Sequence, residues 1–176
     1  MPVTRSRAVR AAMLATLGGA TLMLSAAMRT STPVFGGPWI SIETPANPYE
    51  QATRGALMLV HTFHHGTRVN LPLVGKAEGL VDGERKSVAL TLVSSSQIGT
   101  RAVRNEWGSK GIWTVLLTAT EGQGSIQAVA EITADGSVGK ISVPMKGGRP
   151  HLLSVAEIES GLRARAAGTV AQAGRR

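Results

Sequence analysis

The chain has 176 residues, no cysteine, 3% aromatic residues and a formal net charge of +8. That length is about one domain's worth, and the missing thiol excludes disulfides, thiolate metal sites, a cysteine nucleophile and a lipid-modified cysteine anchor. Residues 1–37 carry Arg5, Arg7, Arg10 and Arg29 without an acid, residues 151–176 carry four Arg against two Glu, and residues 38–150 carry eleven Lys/Arg against nine Asp/Glu. A nearly balanced body with basic ends lacks the basic face of a nucleic-acid binder, so no nucleic-acid partner is expected.

Arg5, Arg7 and Arg10 form a positive n-region, and Ala11 to Ala27 is then free of charge. Ser25-Ala26-Ala27 places small residues before a cut after Ala27, the layout of a secretory signal peptide. The run falls short of the roughly 20 residues of a comfortable membrane span, and Gly18-Gly19 weakens it as a helix. Arg29 is not ideal for processing after Ala27. Two outcomes stay open for residues 1–27: a cleaved signal peptide, or an uncleaved apolar helix that anchors the chain with its arginines inside. Either puts the remainder outside the cytoplasm of a bacterial cell: periplasmic, secreted or anchored at the inner membrane. Residues 28–37, with Pro33 and two glycines, read as a linker.

From residue 38 the chain predicts short strands over Trp39–Thr44, Gly55–His64, Leu71–Val81, Arg85–Val93, Arg101–Trp107, Ile112–Thr120, Ser125–Ala134 and Val138–Met145. Eight such segments, separated by turn residues, predict an all-β fold: an immunoglobulin-like antiparallel β-sandwich of 7–9 strands over residues 38–149. Trp39 and Trp113 are the candidate large core anchors. The scarcity of aromatics argues against a carbohydrate-binding or base-stacking platform.

Two Asp-Gly pairs test the strands against one another, since both residues of such a pair tolerate positive φ in a two-residue hairpin loop. Centring a loop on Asp82-Gly83 pairs Ala77 with Val88, Gly75 with Leu90 and Leu73 with Leu92 on an apolar face. Lys76 then faces Ala89, and Glu78 faces Ser87, on the other side. Centring a loop on Asp135-Gly136 pairs Ile132 with Gly139, Ala130 with Ile141 and Ala128 with Val143, with Glu131 across from Lys140. A one-residue slip would destroy both patterns.

After Pro150 the period changes. Ser154-Val155-Ala156-Glu157 has the form of a capping box. Val155, Ile158 and Leu162 recur at helical spacing, and Gly168 is positioned to end the helix. The expectation is a short amphipathic helix within residues 150–168, packed on its own domain or docking a partner, followed by a disordered tail at 169–176.

The segment with candidate chemistry is His61-Thr62-Phe63-His64-His65. Imidazole is a common metal ligand, so His61, His64 and His65 are the candidate metal ligands, with Met58, Met145 and His151 as the available distant additions. Geometry opposes them on a straight strand: His61 and His65 share a face about 13 Å apart at roughly 3.3 Å per residue, and His64 faces the other way. The structural alternative has His61 hydrogen-bonded inside the sandwich and His64 and His65 at a rim. Ser94-Ser95-Ser96 reads as a turn. Glu78, Glu106 and Glu131 read as polar strand faces with no mark of a catalytic pair. Nucleophile-elbow, phosphate-loop and paired-histidine zinc motifs are absent, so no catalytic residue and no organic cofactor is assigned.

The charge-free N-terminal run, the long apolar strand ending in histidines, and Gly111-Ile112-Trp113-Thr114-Val115 together resemble the small immunoglobulin-like envelope domains of the YtkA/FixH type. The resemblance spans roughly residues 38–145 and rests on one short motif and a layout. It implies a periplasm-facing sandwich that is not an enzyme, an accessory to membrane complexes, with copper handling or oxidase assembly connected to some members. The chain departs from a copper carrier in having no clear Met/His cluster. The leading expectation is a non-catalytic accessory protein binding an envelope or membrane complex, respiratory or photosynthetic. The alternative is a periplasmic copper-binding or carrier protein using His61, His64 and His65.

Overall fold

A computed structural model describes residues 37–47 and 49–173, with side chains as far as Thr169. The expected signal or anchor helix (residues 1–27), nearly all of the linker and residues 174–176 lie outside the described residues. The described chain is mostly β, in antiparallel sheets, with one C-terminal helix. Its strands are β1 (Trp39–Glu43), β2 (Met58–His64), β3 (Thr67–Arg68), β4 (Leu73–Val81), β5 (Glu84–Leu90), β6 (Val93–Ser94) and β7 (Thr100–Val103). There follow β8 (Ile112–Glu121), β9 (Gly124–Ile132), β10 (Val138–Ser142), β11 (Met145–Lys146), β12 (Arg149–Pro150) and the helix α1 (Val155–Ala173). One sheet runs β1-β2-β7-β6 with β3 on β2, a second runs β10-β9-β8-β4-β5, and β11-β12 is a separate hairpin. The count exceeds nine because β3, β6, β11 and β12 are two-residue strands below the reach of periodicity.

The Asp82-Gly83 hairpin forms in the expected register. Asp82 and Gly83 have φ of 52° and 83°, and Gly75 pairs with Leu90, Ala77 with Val88 and Glu78 with Ser87. The pairing ends at Leu90, so Leu73 does not meet Leu92 as a strand partner. The expected strand Arg85–Val93 divides at that point: β5 belongs to the second sheet and β6 to the first.

The Asp135-Gly136 hairpin departs from expectation near its turn. Ala130 pairs with Ile141 as expected, but Ile132 pairs with Val138 instead of Gly139, and the register shifts between Val138 and Ile141. The Asp135 carboxylate accepts from the Thr133 and Ser137 hydroxyls and from Ser137 N. These local bonds favour a loop wider than two residues, and a bulge restores the register.

A single buried cluster draws Ile40, Met58, Val60 and Val103 from the first sheet and Ala77, Trp113, Val115 and Leu117 from the second. Full burial of a Val or Leu side chain is worth about 2 kcal/mol. Small residues make room for large ones: an added Cβ at Gly79 would lie 2.4 Å from the Trp113 ring, which sits directly across from it in the β4–β8 register. Trp113 is a core anchor, 4% exposed, and its indole donates to Lys110 O at 2.6 Å. Trp39 is not, at 47% exposure. The second buried indole is Trp107, which lies past the end of β7 because the expected strand Arg101–Trp107 stops at Val103.

The helix packs on the other face of the second sheet, where Ile158 and Leu162 bury against Leu116 and Val129. Its capping box is reciprocal. The Ser154 hydroxyl and N both donate to Glu157 Oε2, at 2.7 and 2.8 Å, and Glu157 N donates back to Ser154 Oγ. Val155 faces solvent at 59% exposure; the buried face is Ile158, Leu162 and Arg165. The helix also runs through Gly168 to Ala173, correcting the expected stop there and the tail from 169. An interior glycine costs only about 1 kcal/mol, and no proline follows to force an end.

Candidate functional site

The histidines of β2 are divided between the two faces of the strand. Met58 and Val60 enter the shared core cluster, so alternation puts His61 on the opposite face, not among the core side chains as expected. It is nevertheless only 4% exposed. His61 Nδ1 lies 3.0 Å from Thr100 Oγ1, and its Nε2 lies 3.1 Å from Glu43 Oε2. The order carboxylate, imidazole, hydroxyl is that of a hydrolytic triad, but Thr100 is 0% exposed. A nucleophile has to meet its substrate, so this arrangement ties β1, β2 and β7 together instead.

His64 and His65 lie at the strand end, half-buried and exposed respectively. His64 Nδ1 lies 2.6 Å from Glu121 Oε2, joining the end of β2 to the end of β8. The His65 ring meets the His64 ring edge-on at 4.1 Å. The structure therefore brings His64 and His65 together and leaves His61 with different partners. Met145 lies in the separate β11-β12 hairpin, and His151 pairs with Glu157 at 3.1 Å. Among the described residues, no group of three or more His, Asp or Glu side chains is placed to hold one metal ion.

Several polar groups escaped sequence reasoning. Glu78, expected on a polar face, is 2% exposed. Its carboxylate accepts from Arg85 at 2.9 Å and Ser87 at 2.9 Å, which satisfies a charge that burial alone would make costly. Glu50 clamps the Ser94–Ser96 turn, accepting from the Ser95 and Ser96 hydroxyls and from Ser96 N. Those bonds, led by Ser95, hold its carboxyl below the ordinary value. Glu106 lies outside the strands and accepts from Thr91 N.

Arg165 crosses from α1 to the sheet. Its guanidinium donates to Trp113 O at 2.9 Å, Thr114 Oγ1 at 2.8 Å and Ile132 O at 2.6 Å, with Glu131 3.5 Å away. Burial pushes its pKa down and Glu131 opposes the shift. It sits in a groove of about 350 Å³ between α1 and the β9–β10 side of the sheet, floored by Val129, Leu153 and Ile158. Glu157, at the same groove, is held down to about 2 by the Ser154 hydroxyl, the Ser154 amide and His151. These groups stabilise the helix seat, and three of the Arg165 N–H donors are committed to it. The only signal for this role in the sequence is an arginine two turns after Ile158 on the apolar stripe.

A second, open cleft of about 530 Å³ lies beside Trp107 and Trp113, with Lys86 and Lys110 on its walls. The motif Gly111-Ile112-Trp113 has a local explanation there. Gly111 has φ of 90°, and a Cβ would fall 2.6 Å from Leu80 O.

No family model, curated protein or solved structure matches the chain.

Proposed function

We propose that the chain is an exported, non-catalytic accessory domain of the bacterial envelope, binding other envelope or membrane proteins, and that its two sheets pack as an immunoglobulin-like sandwich of the YtkA/FixH type. The observation that carries this reading is the use made of the chemically capable side chains. His61, His64 and His151 each pair with a carboxylate from another segment, and the hydroxyl nearest an imidazole is sealed from solvent. These are ties within a scaffold. The arginine-flanked, charge-free run at Ala11–Ala27 supports export. The core cluster shared by both sheets supports the sandwich.

Affinity purification from membranes followed by mass spectrometry tests the proposal. The expected result is a chain recovered in the envelope fraction with specific co-purifying membrane proteins, its N-terminus either intact or beginning after Ala27. Recovery from the cytosol as an unprocessed, unaccompanied chain would overturn it.

A further inference from the structure

We propose that the end of the domain carrying Trp39 is a lipid-facing surface that seats on anionic headgroups; this rests on the anchored form of the reading above. Trp39 is the first strand residue after the apolar run. About 12 residues separate it from Ala27, a reach of roughly 40 Å fully extended and roughly 20 Å as a flexible coil. A chain held by Ala11–Ala27 would keep Trp39 within that reach of the bilayer.

The side chains at this end suit that position. Trp39 is 47% exposed, whereas Trp107 and Trp113 are 8% and 4% exposed. Its ring stacks on Phe63 at 4.8 Å, and the Arg68 guanidinium lies 5.8 Å from the centre of the Phe63 ring. A half-exposed indole stacked on a second ring that itself carries a cation suits a membrane interface. The topology adds further positive charge. Pro38 sits 3.7 Å from the Cβ position of Gly124, which places the start of β9 at this end. β10 runs back along β9, with Ser142 across from Val129, and Leu153 N donates to Gln127. The β11-β12 hairpin between them therefore flanks the first half of β9. It presents exposed Met145, Lys146 and Arg149. Glu121, a carboxylate at this end, is engaged by His64.

A stable protein interface buries upwards of about 1,000 Å², far more than a single half-exposed indole offers. One aromatic pair with Arg68 over it fits a headgroup layer better.

The test uses the full chain reconstituted with phosphatidylcholine vesicles, with and without phosphatidylglycerol, in which some lipids carry bromine high on the acyl chain. Flotation reports whether the chain is anchored; tryptophan quenching reports whether this end touches lipid. The expected result is quenching that strengthens with phosphatidylglycerol and disappears in Trp39→Phe. Reversing Arg68, Lys146 and Arg149 to Glu should reduce the quenching several-fold while flotation is unchanged. A chain that floats with Trp39 unquenched in both lipids overturns this inference and leaves the anchored reading standing. A chain that does not float overturns both. Shielding of Trp39 that needs added membrane protein and is absent with lipid alone assigns the surface to a protein partner and also overturns it.

Discussion

The two faces of the sheet β10-β9-β8-β4-β5 are built by different means. The face that contributes to the buried cluster shared with the first sheet is apolar and close-packed, with Gly75, Ala77 and Gly79 opposite Leu117, Val115 and Trp113. The other face mixes Glu78, Thr114 and Glu131 with Leu116 and Val129, and it is closed by a helix that starts more than twenty residues after β9 ends. The first face is specified by neighbours in paired strands, the second by a distant segment that has to arrive and dock. The first should therefore govern the stability of the whole described body, and the second the attachment of α1.

The sharpest break in that comparison is Gly79→Ala. Its new Cβ has to displace the Trp113 ring, and overpacking of this kind costs about 3 kcal/mol. Chemical denaturation followed by tryptophan emission should show the loss as a lower midpoint with the whole β body unfolding together. Leu162→Ala should cost about 2 to 3 kcal/mol from a cavity beneath the helix. Here hydrogen exchange should rise throughout α1 before it rises in β8 and β4. Equal loss of protection in both would mean that helix and sheets form one cooperative unit, and the contrast between faces would fail.

A smaller effect is expected from Ser154→Ala, which removes the cap hydroxyl and costs about 1 kcal/mol, seen as lower helicity at the start of α1. Acid titration should sharpen the same point. Glu157 falls from its ordinary 4.5 to about 2 in the folded chain, so its contribution is present above about pH 4.5 and is lost as pH falls toward 2. Helicity of α1 should fall in that window, and Glu157→Gln should flatten the dependence. For the histidines, titration with Cu(I), Cu(II) and Zn(II) is expected to give nothing tighter than micromolar binding. Tight binding abolished by His64→Ala or His65→Ala would restore the metal-carrier alternative.

The two Asp-Gly hairpins show why one register was legible and the other only partly so. Both loops carry the same dipeptide. Asp82 is flanked by Val81 and Glu84, which pair with each other across the loop. Asp135 has hydroxyls from Thr133 and Ser137 within reach, and its carboxyl, held down to about 2 chiefly by Thr133, is committed to them. A side chain that can satisfy local donors competes with the ladder. Of the candidate site, the strand-end placement of His64 and His65 was readable. The partners Glu43, Thr100 and Glu121 lie 18, 39 and 57 residues from their histidines and leave no spacing to read.

Local alternation and turn chemistry by themselves determined the strands of the second sheet, the Asp82-Gly83 register and the capped start of α1, because each depends on residues within about fifteen positions of one another. Tertiary structure alone decided that Trp39 stays at the surface while Trp107 is buried, that Glu78 is sealed among its donors, and that Arg165 seats the helix. Each of those outcomes turns on which distant segment covers a side chain, and burial changes the energy of a polar or aromatic group more than any local propensity does.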